Sequence, residues 1–398
     1  MELNNSNNNT NVEICIKDDI KEKEITDINV NELKSEPVKN EQQQQQENTE
    51  KDSRLKRICV NRFWMYVLAI ICTFLWGSAF PSIKLGYEEF HINSHDLKSI
   101  FLFAGMRFTF AGLMIVVAYC IIKRKLITPK LKEMPDILTL GFIGITLQYI
   151  IFYYGLSNST GVKCSIINSC NTFFTVILAH FLFKNDRITI RKSIGCVIGF
   201  IGVIIINVGL DFIFGGKNDN KKLEWSFTFK GEGAIMTSCF LSSVVSVLIK
   251  VITGKGSLYK FNRTNDDDSK IKEKKKPDII MITGYQMFLG ALVIDIIALI
   301  WMLISPVEPI EGSTEKPYRN VSFKGYLLMI HMSMLSAVAF SIWNTLIRFN
   351  DVGKIAFFNF LIPIFGSILS GIFLGEELFK IENLIALVLV CIGVIIVC

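Results

Sequence analysis

Apolar residues gather into ten long stretches, approximately 64–86, 100–122, 137–157, 162–183, 192–210, 231–253, 278–304, 325–347, 353–374 and 380–397. Each approaches the roughly 20 residues that a helix needs to cross a bilayer at 1.5 Å per residue. Most carry only isolated polar residues, not the polar face at a 3.6-residue period that a water-covered helix shows. The pattern predicts an all-α polytopic membrane protein with ten transmembrane helices. Five stretches fall between 64 and 210 and five between 231 and 397. An odd number of crossings returns the chain on the opposite side, so a repeat of five must enter its second copy inverted. Two inverted five-helix repeats are therefore expected, an arrangement whose rocking opens a central site to each side in turn.

Composition supports lipid over water: 51% of the 398 residues are hydrophobic, the mean hydropathy is +0.41, and 31 residues are Phe. The net charge of +6 does not point to nucleic acid, because the basic residues concentrate in short connections between the stretches. With the N-terminus inside, the inner loops 123–136, 184–192, 254–277 and 348–354 hold 19 Lys and Arg in 54 residues, against 9 in 68 for the outer loops. That asymmetry places both termini in the cytosol. Matching loops also swap sign. The segment 184–192 holds Lys184, Arg187, Arg191 and Lys192, whereas 375–383 holds Glu376, Glu377 and Glu382 with Lys380 alone.

Residues 1–62 are rich in Asn, Gln, Glu and Lys, with a run from Gln42 to Gln46, and lack the apolar surface to pack, so a disordered cytosolic tail is expected. Residues 63–210 form the first repeat, 211–230 a linker, and 231–398 the second repeat, which carries a charged cytosolic insertion at 254–277. No cleaved secretory signal is expected, since the first 50 residues are polar and the first apolar stretch is long enough to span. The ten Cys include no CxxC pair, and most fall inside spans, which argues against a disulfide framework or zinc. Asn320-Val-Ser322 is a glycosylation acceptor in a predicted outer loop.

The two halves align by offset. At 166 positions Lys84 meets Lys250, and at 179 Gly105 meets Gly284 and Arg107 meets Gln286. At 191, Lys163 meets Lys354, Asn168 meets Asn359, Asp186 meets Glu377 and Gly202 meets Gly393. Trp76-Gly-Ser-Ala-Phe80 followed by Lys84, then Arg107-Phe108, Asn359-Phe-Leu-Ile-Pro363, Leu374-Gly-Glu-Glu377 and Gly393-Val-Ile-Ile, in that order, resemble the EamA-like branch of the drug/metabolite transporter superfamily. The resemblance covers approximately 64–397. It implies a ten-helix carrier of two inverted repeats, with the first four helices of each lining a central cavity. Two departures stand in the first half: Asn171-Thr172 replaces the helix-four proline, and Asn185-Asp186 replaces Gly-Glu.

An ionisable group inside a span costs about 2.5–3.5 kcal/mol on insertion scales and needs a reason. Arg107 lies roughly 10 Å into its span, and Asp295 falls in the same outer half of another. Arg107 is expected to face the cavity, either paired with Asp295 or binding an anionic group of the solute. Lys84 and Lys250 sit where long stems reach the interface, which favours anchoring. Lys163 and Lys354 begin matching helices at opposite faces, where each attracts anions or marks a helix end. On helix four, Ser165, Asn168, Thr172 and Thr175 share a stripe that either faces the cavity or bonds neighbouring helices. Gln148, Asn344, Asn359 and Gln286 extend the candidate lining. Trp76, Tyr153 and Trp343 either stack on a ring of the solute or pack together.

His91 and His95 beside Asp96 read as a solvated loop rather than a metal site, and no cofactor is expected. No phosphate-binding glycine loop, HExxH or nucleophile elbow occurs, so an enzyme is not expected. The residues point to a secondary transporter of a small polar or anionic organic metabolite, in the plasma membrane or an endomembrane. Its expected partners are the bilayer, a small-molecule substrate and at most a second copy of the chain in a homodimer. Amino-acid or metabolite export, or a non-transporting membrane scaffold, are the alternatives.

Overall fold

The computed structural model describes residues 53, 55–93, 95–159, 164, 167–208, 228–253, 278–305, 317–374 and 381–397. The chain divides into two units, Met1–Ile58 and Cys59–Cys398. Of the first, only 53 and 55–58 are described, all helical, so the expected disorder of the tail lies outside the described residues. Lys163, Ser165, Glu377 and the 254–277 insertion also lie outside them.

The second unit is all-helical among the described residues. Its helices are α1 (Arg62–Glu89), α2 (Leu97–Lys123), α3 (Met134–Ser157), α4 (Cys170–Leu182), α5 (Ile190–Val208), α6 (Phe229–Thr253), α7 (Ile279–Ile304) and α8 (Phe323–Phe349). They are followed by α9 (Val352–Ala356, continued through a 3-10 turn at Phe357–Phe360 into Leu361–Leu374) and α10 (Ile381–Val397). Seven of them, α1, α2, α3, α6, α7, α8 and α9, are long and apolar enough to cross a membrane. The described parts of α4 and α10, at 13 and 17 residues, are shorter. Long outward-facing side chains such as Ile121, Phe181, Leu303, Ile304 and Ile395 are exposed, as a lipid-facing surface requires.

Polar residues open these apolar helices by satisfying their first amides. Asn61 Oδ1 accepts from Phe63 N (3.0 Å) before α1, Asp278 Oδ1 from Ile280 N (3.0 Å) before α7, and Ser322 Oγ from Gly325 N (3.0 Å) before α8. At the other end of α8, Lys250 Nζ reaches from α6 to donate to the carbonyls of Arg348 (3.0 Å) and Asn350 (2.7 Å). A cation is favoured at a helix C-terminus by the backbone dipoles. Lys250 therefore holds α6 to α8 rather than acting only as an interface anchor.

The most extensive pairings among the described residues follow one rule. The helix α2 packs on α7, α5 on α10, α1 on α8 and α9, α6 on α3 and α4, α3 on α7, and α8 on α2. Exchanging each helix with the one five places on leaves this set unchanged. The corresponding helices α2 and α7 run antiparallel: Phe101 stacks near Trp301 (6.1 Å between rings), Gly105 faces Asp295, and Tyr119 bonds Asp278. Gly105 abuts Asp295 and Gly284 abuts Val116, contacts that a shift of 179 positions converts into each other. By contrast α1 and α9 run parallel, through Tyr66 with Phe358 and Phe74 with Phe365, as do α4 and α6.

Close approach of α2 and α7 depends on small residues, as is usual where lipid supplies no hydrophobic drive between helices. A Cβ on Gly112 would stand 2.4 Å from Phe288 N and 2.8 Å from Gly284 O, both backbone atoms. Gly112→Ala must part the pair, and a loss of about 1–3 kcal/mol is expected. Thermal unfolding of the detergent-purified protein measures it. An unchanged midpoint would show that the two helices do not meet here.

One ionic contact ties the connection after α4 to the start of α9. Asp186 is buried, pairs with the buried Lys192 Nζ, and accepts from Gly353 N (2.7 Å) in the first turn of α9. The residue that departs from the Gly-Glu pattern is thus a carboxylate cap on a distant helix.

Candidate solute site

Arg107 lies near the middle of α2 and is only 5% exposed. Its Nε donates to Ser336 Oγ on α8 (3.0 Å), and that is its one hydrogen bond among the described residues. Its guanidinium lies 5.0 Å from the centre of the Phe108 ring, and its charge acts on the hydroxyls of Tyr87, Tyr149 and Tyr153 from α1 and α3. A continuous aromatic wall extends from it: Tyr149 meets Phe108 (4.4 Å), Phe108 meets Phe340 (6.1 Å), and Trp76 lies between Phe340 (5.5 Å) and Trp343 (5.0 Å). Trp76, Tyr153 and Trp343 therefore pack with other rings.

Asp295 does not pair with Arg107. It is 9% exposed, and its Oδ2 accepts from Thr109 Oγ1 (2.6 Å), while Oδ1 fits against Gly105 and has no hydrogen-bond partner. The cause is helical phase. Gly105 and Thr109, four apart, share the face of α2 that meets α7, whereas Arg107, about 200° from Gly105 at 100° per residue, turns toward α8. Arg107 and the carboxylate of Asp295 thus lie on opposite sides of α2.

The helix-four stripe resolves toward interhelical bonding. Thr172 is fully buried and donates to Ala356 O on α9 (3.0 Å). Thr175 Oγ1 contacts Ser243 Oγ on α6 (3.0 Å), and Asn168 Oδ1 accepts from Cys239 Sγ (3.6 Å). Thr172→Val is expected to lower stability by about 0.6 kcal/mol, the average for such bonds in a bundle, and to leave transport unchanged. A large loss of flux with an unaltered melting midpoint would return Thr172 to the solute pathway.

The other candidates separate. Asn344, buried on α8, donates from Nδ2 to Thr283 Oγ1 on α7 (2.9 Å), and Gln286 lies one turn further along α7, buried with Oε1 unpartnered. Gln148 is half-buried directly after a π-helical turn at Phe142–Leu147, a distortion that recurs at functional sites. Asn359 is half-buried in the 3-10 turn of α9, four residues before Pro363, which has no amide to donate back to its carbonyl. Lys84 is exposed on α1, and Lys354 pairs with Asp351 (2.9 Å), so neither joins Arg107. Asn320 is exposed with φ 57°, and Ser322 of its acceptor sequence is engaged by Glu89 and by the cap of α8. Among the described residues no cluster of His, Cys, Asp and Glu could hold a metal, and the His91 and His95 pair joins none. Sequence reasoning missed Ser336, the partner of Arg107. Its only signal is a shared buried face with Ser333, Phe340 and Asn344 on α8 that becomes visible once α8 is seen to cross α2.

Seven helices long and apolar enough to cross a membrane, with a buried cation and an aromatic wall among them, are the architecture of a multi-pass membrane protein. Residues 63–208 and 270–398 match the EamA-like transporter family, and the chain belongs to it. An uncharacterized transporter of Archaeoglobus fulgidus is 31% identical over 35% of this chain and 46% of its own length. A second from the same organism is 23% identical over 78% and 90%. A probable terminal-alkyne amino-acid exporter of Streptantibioticus cattleyicolor is 23% identical over 36% of this chain and 44% of its own. The chain thus spans under half the length of the first curated relatives it matches. A solved crystal structure superposes with a TM-score of 0.58 at 14% identity, covering 83% of this chain and 94% of the other, which shows the shared fold.

Proposed function

We propose that the chain is a secondary carrier of a small anionic organic solute, working by alternating access between two inverted five-helix repeats, with both termini in the cytosol. The observation that carries this reading is Arg107. A buried guanidinium with one neutral hydroxyl partner bears an uncompensated desolvation cost of several kcal/mol, which an arriving carboxylate or phosphate would offset through paired hydrogen bonds. The antiparallel α2 and α7 and the exchange-invariant helix pairings support the inverted repeats, and so does a family match over two separate segments. Export of an amino acid is the second reading, favoured by the exporter among the relatives. Its carboxylate would occupy the same site.

Counterflow in proteoliposomes decides between them. Labelled hydroxy acids, sugar phosphates and amino acids, each tested with and without the same unlabelled solute inside, should identify one class that exchanges. Absence of exchange for every anion, with exchange of a cation or neutral solute, would sink the anion reading.

A further inference from the structure

Gln286 is the residue that the 179-position shift exchanges with Arg107, and its amide oxygen is left over. It is 2% exposed, and Oε1 has no hydrogen-bond partner. A buried acceptor left unmade costs about 1–3 kcal/mol, so native proteins rarely keep one without use. The polar groups around it are already committed. Asn344 donates to Thr283, Thr283 to Ile279 O (2.8 Å), and Thr146 to Gly290 O (2.7 Å). Among the described residues no donor is left to fill the acceptor.

Arg107 and Gln286 are both buried, at two depths of the α2–α7 pair, and α8 runs past both levels. The register set by Gly105 against Asp295 and Gly112 against Phe288 places Arg107 level with position 293, about seven residues or roughly 10 Å along α7 from Gln286. The helix α8 touches both ends: Ser336 bonds Arg107, and Asn344 bonds Thr283 one turn from Gln286. Between them α8 presents Phe340, packed on Phe108 and Trp76. Along α8 the order is cation, aromatic ring, neutral acceptor.

We infer that the solute is bipolar, with an anionic group on Arg107, an apolar middle over Phe340 and a hydroxyl roughly 10 Å away that donates to Gln286 Oε1. The inference rests on the reading of Arg107 as the anion site. A hydroxyl fits better than an ammonium, because an amide brings no negative charge to a buried cation. Hydroxylated carboxylates and phosphates of that length form the class. A site that bonds a hydroxyl discriminates strongly against the analogue lacking it, since the acceptor is then left unpaired.

The test uses the full-length protein in detergent and two probes, hexanoate and its omega-hydroxy derivative, with affinities taken from titrated thermal stabilisation. The wild type is expected to bind the hydroxylated probe about tenfold more tightly. Gln286→Leu should bind both alike at the affinity of hexanoate, and Gln286→Met serves in its place if the Leu variant is not monodisperse. Arg107→Gln should lose both probes. Equal wild-type affinities, or a preference that survives Gln286→Leu, would overturn the bipolar solute and leave the anion site standing. No binding of either probe by the wild type would overturn both.

Discussion

Replacing Arg107 with Gln is expected to lower kcat/KM for the exchanged solute by about a hundredfold or more while leaving the protein folded. A paired carboxylate or phosphate makes two charge-assisted hydrogen bonds to a guanidinium, each worth about 1.5–3 kcal/mol, so their loss reaches that magnitude. Folding should survive, because the substitution removes a buried charge and leaves no orphan. Ser336 Oγ keeps its bond to Met332 O (3.0 Å). Arg107→Lys retains the charge without the planar fork, and an intermediate loss of about tenfold is expected. Counterflow and thermal unfolding of the same preparations separate the two effects. Wild-type flux in both variants would remove Arg107 from the solute pathway.

The second large effect concerns stability. Asp186→Asn should destabilise the fold by about 3–5 kcal/mol, since it strands a buried Lys192 ammonium. The amide oxygen of Asn can still accept from Gly353 N, so the stranded charge and not the lost cap dominates. Adding Lys192→Met to Asp186→Asn should recover most of the loss, because replacing a whole buried pair by neutral side chains is often close to neutral. The melting midpoints of the two single variants and the double variant measure the coupling. A double variant as unstable as the sum of the singles would show that the pair contributes no mutual energy.

The seven helices long and apolar enough to cross a membrane were legible because crossing a bilayer requires a run of apolar residues, and a run can be counted. Arg107 and Asp295 could be placed in depth for the same reason. What one residue faces around a helix was harder. Thr172 and Thr175 form a polar stripe by phase, but phase does not say whether the neighbour is a cavity or Ala356 O and Ser243 Oγ. Asp295 and Arg107 share a depth, yet Gly105 and Thr109 draw the carboxylate to the other side of α2. Asp186 read as a lost glutamate motif, because its partners Lys192 and Gly353 come together only when α9 returns to the end of α4.

The crossed pairing of α1 with α8 and α9 has a consequence for synthesis. Cys72 Sγ on α1 meets Ala339 O on α8 (3.5 Å), 267 positions later, and Asn350 Nδ2 reaches back to Cys59 O (3.1 Å). The helix α1 therefore leaves the ribosome before its partners, and its glycine face at Gly77 stays unfilled until α9 delivers Phe365 and Gly366. Contacts so distant in sequence form late and leave surfaces unpaired meanwhile. A nascent chain stopped after α5 would have inserted its helices without the partners of the first, and quality control would meet it as an unassembled subunit of its own second half.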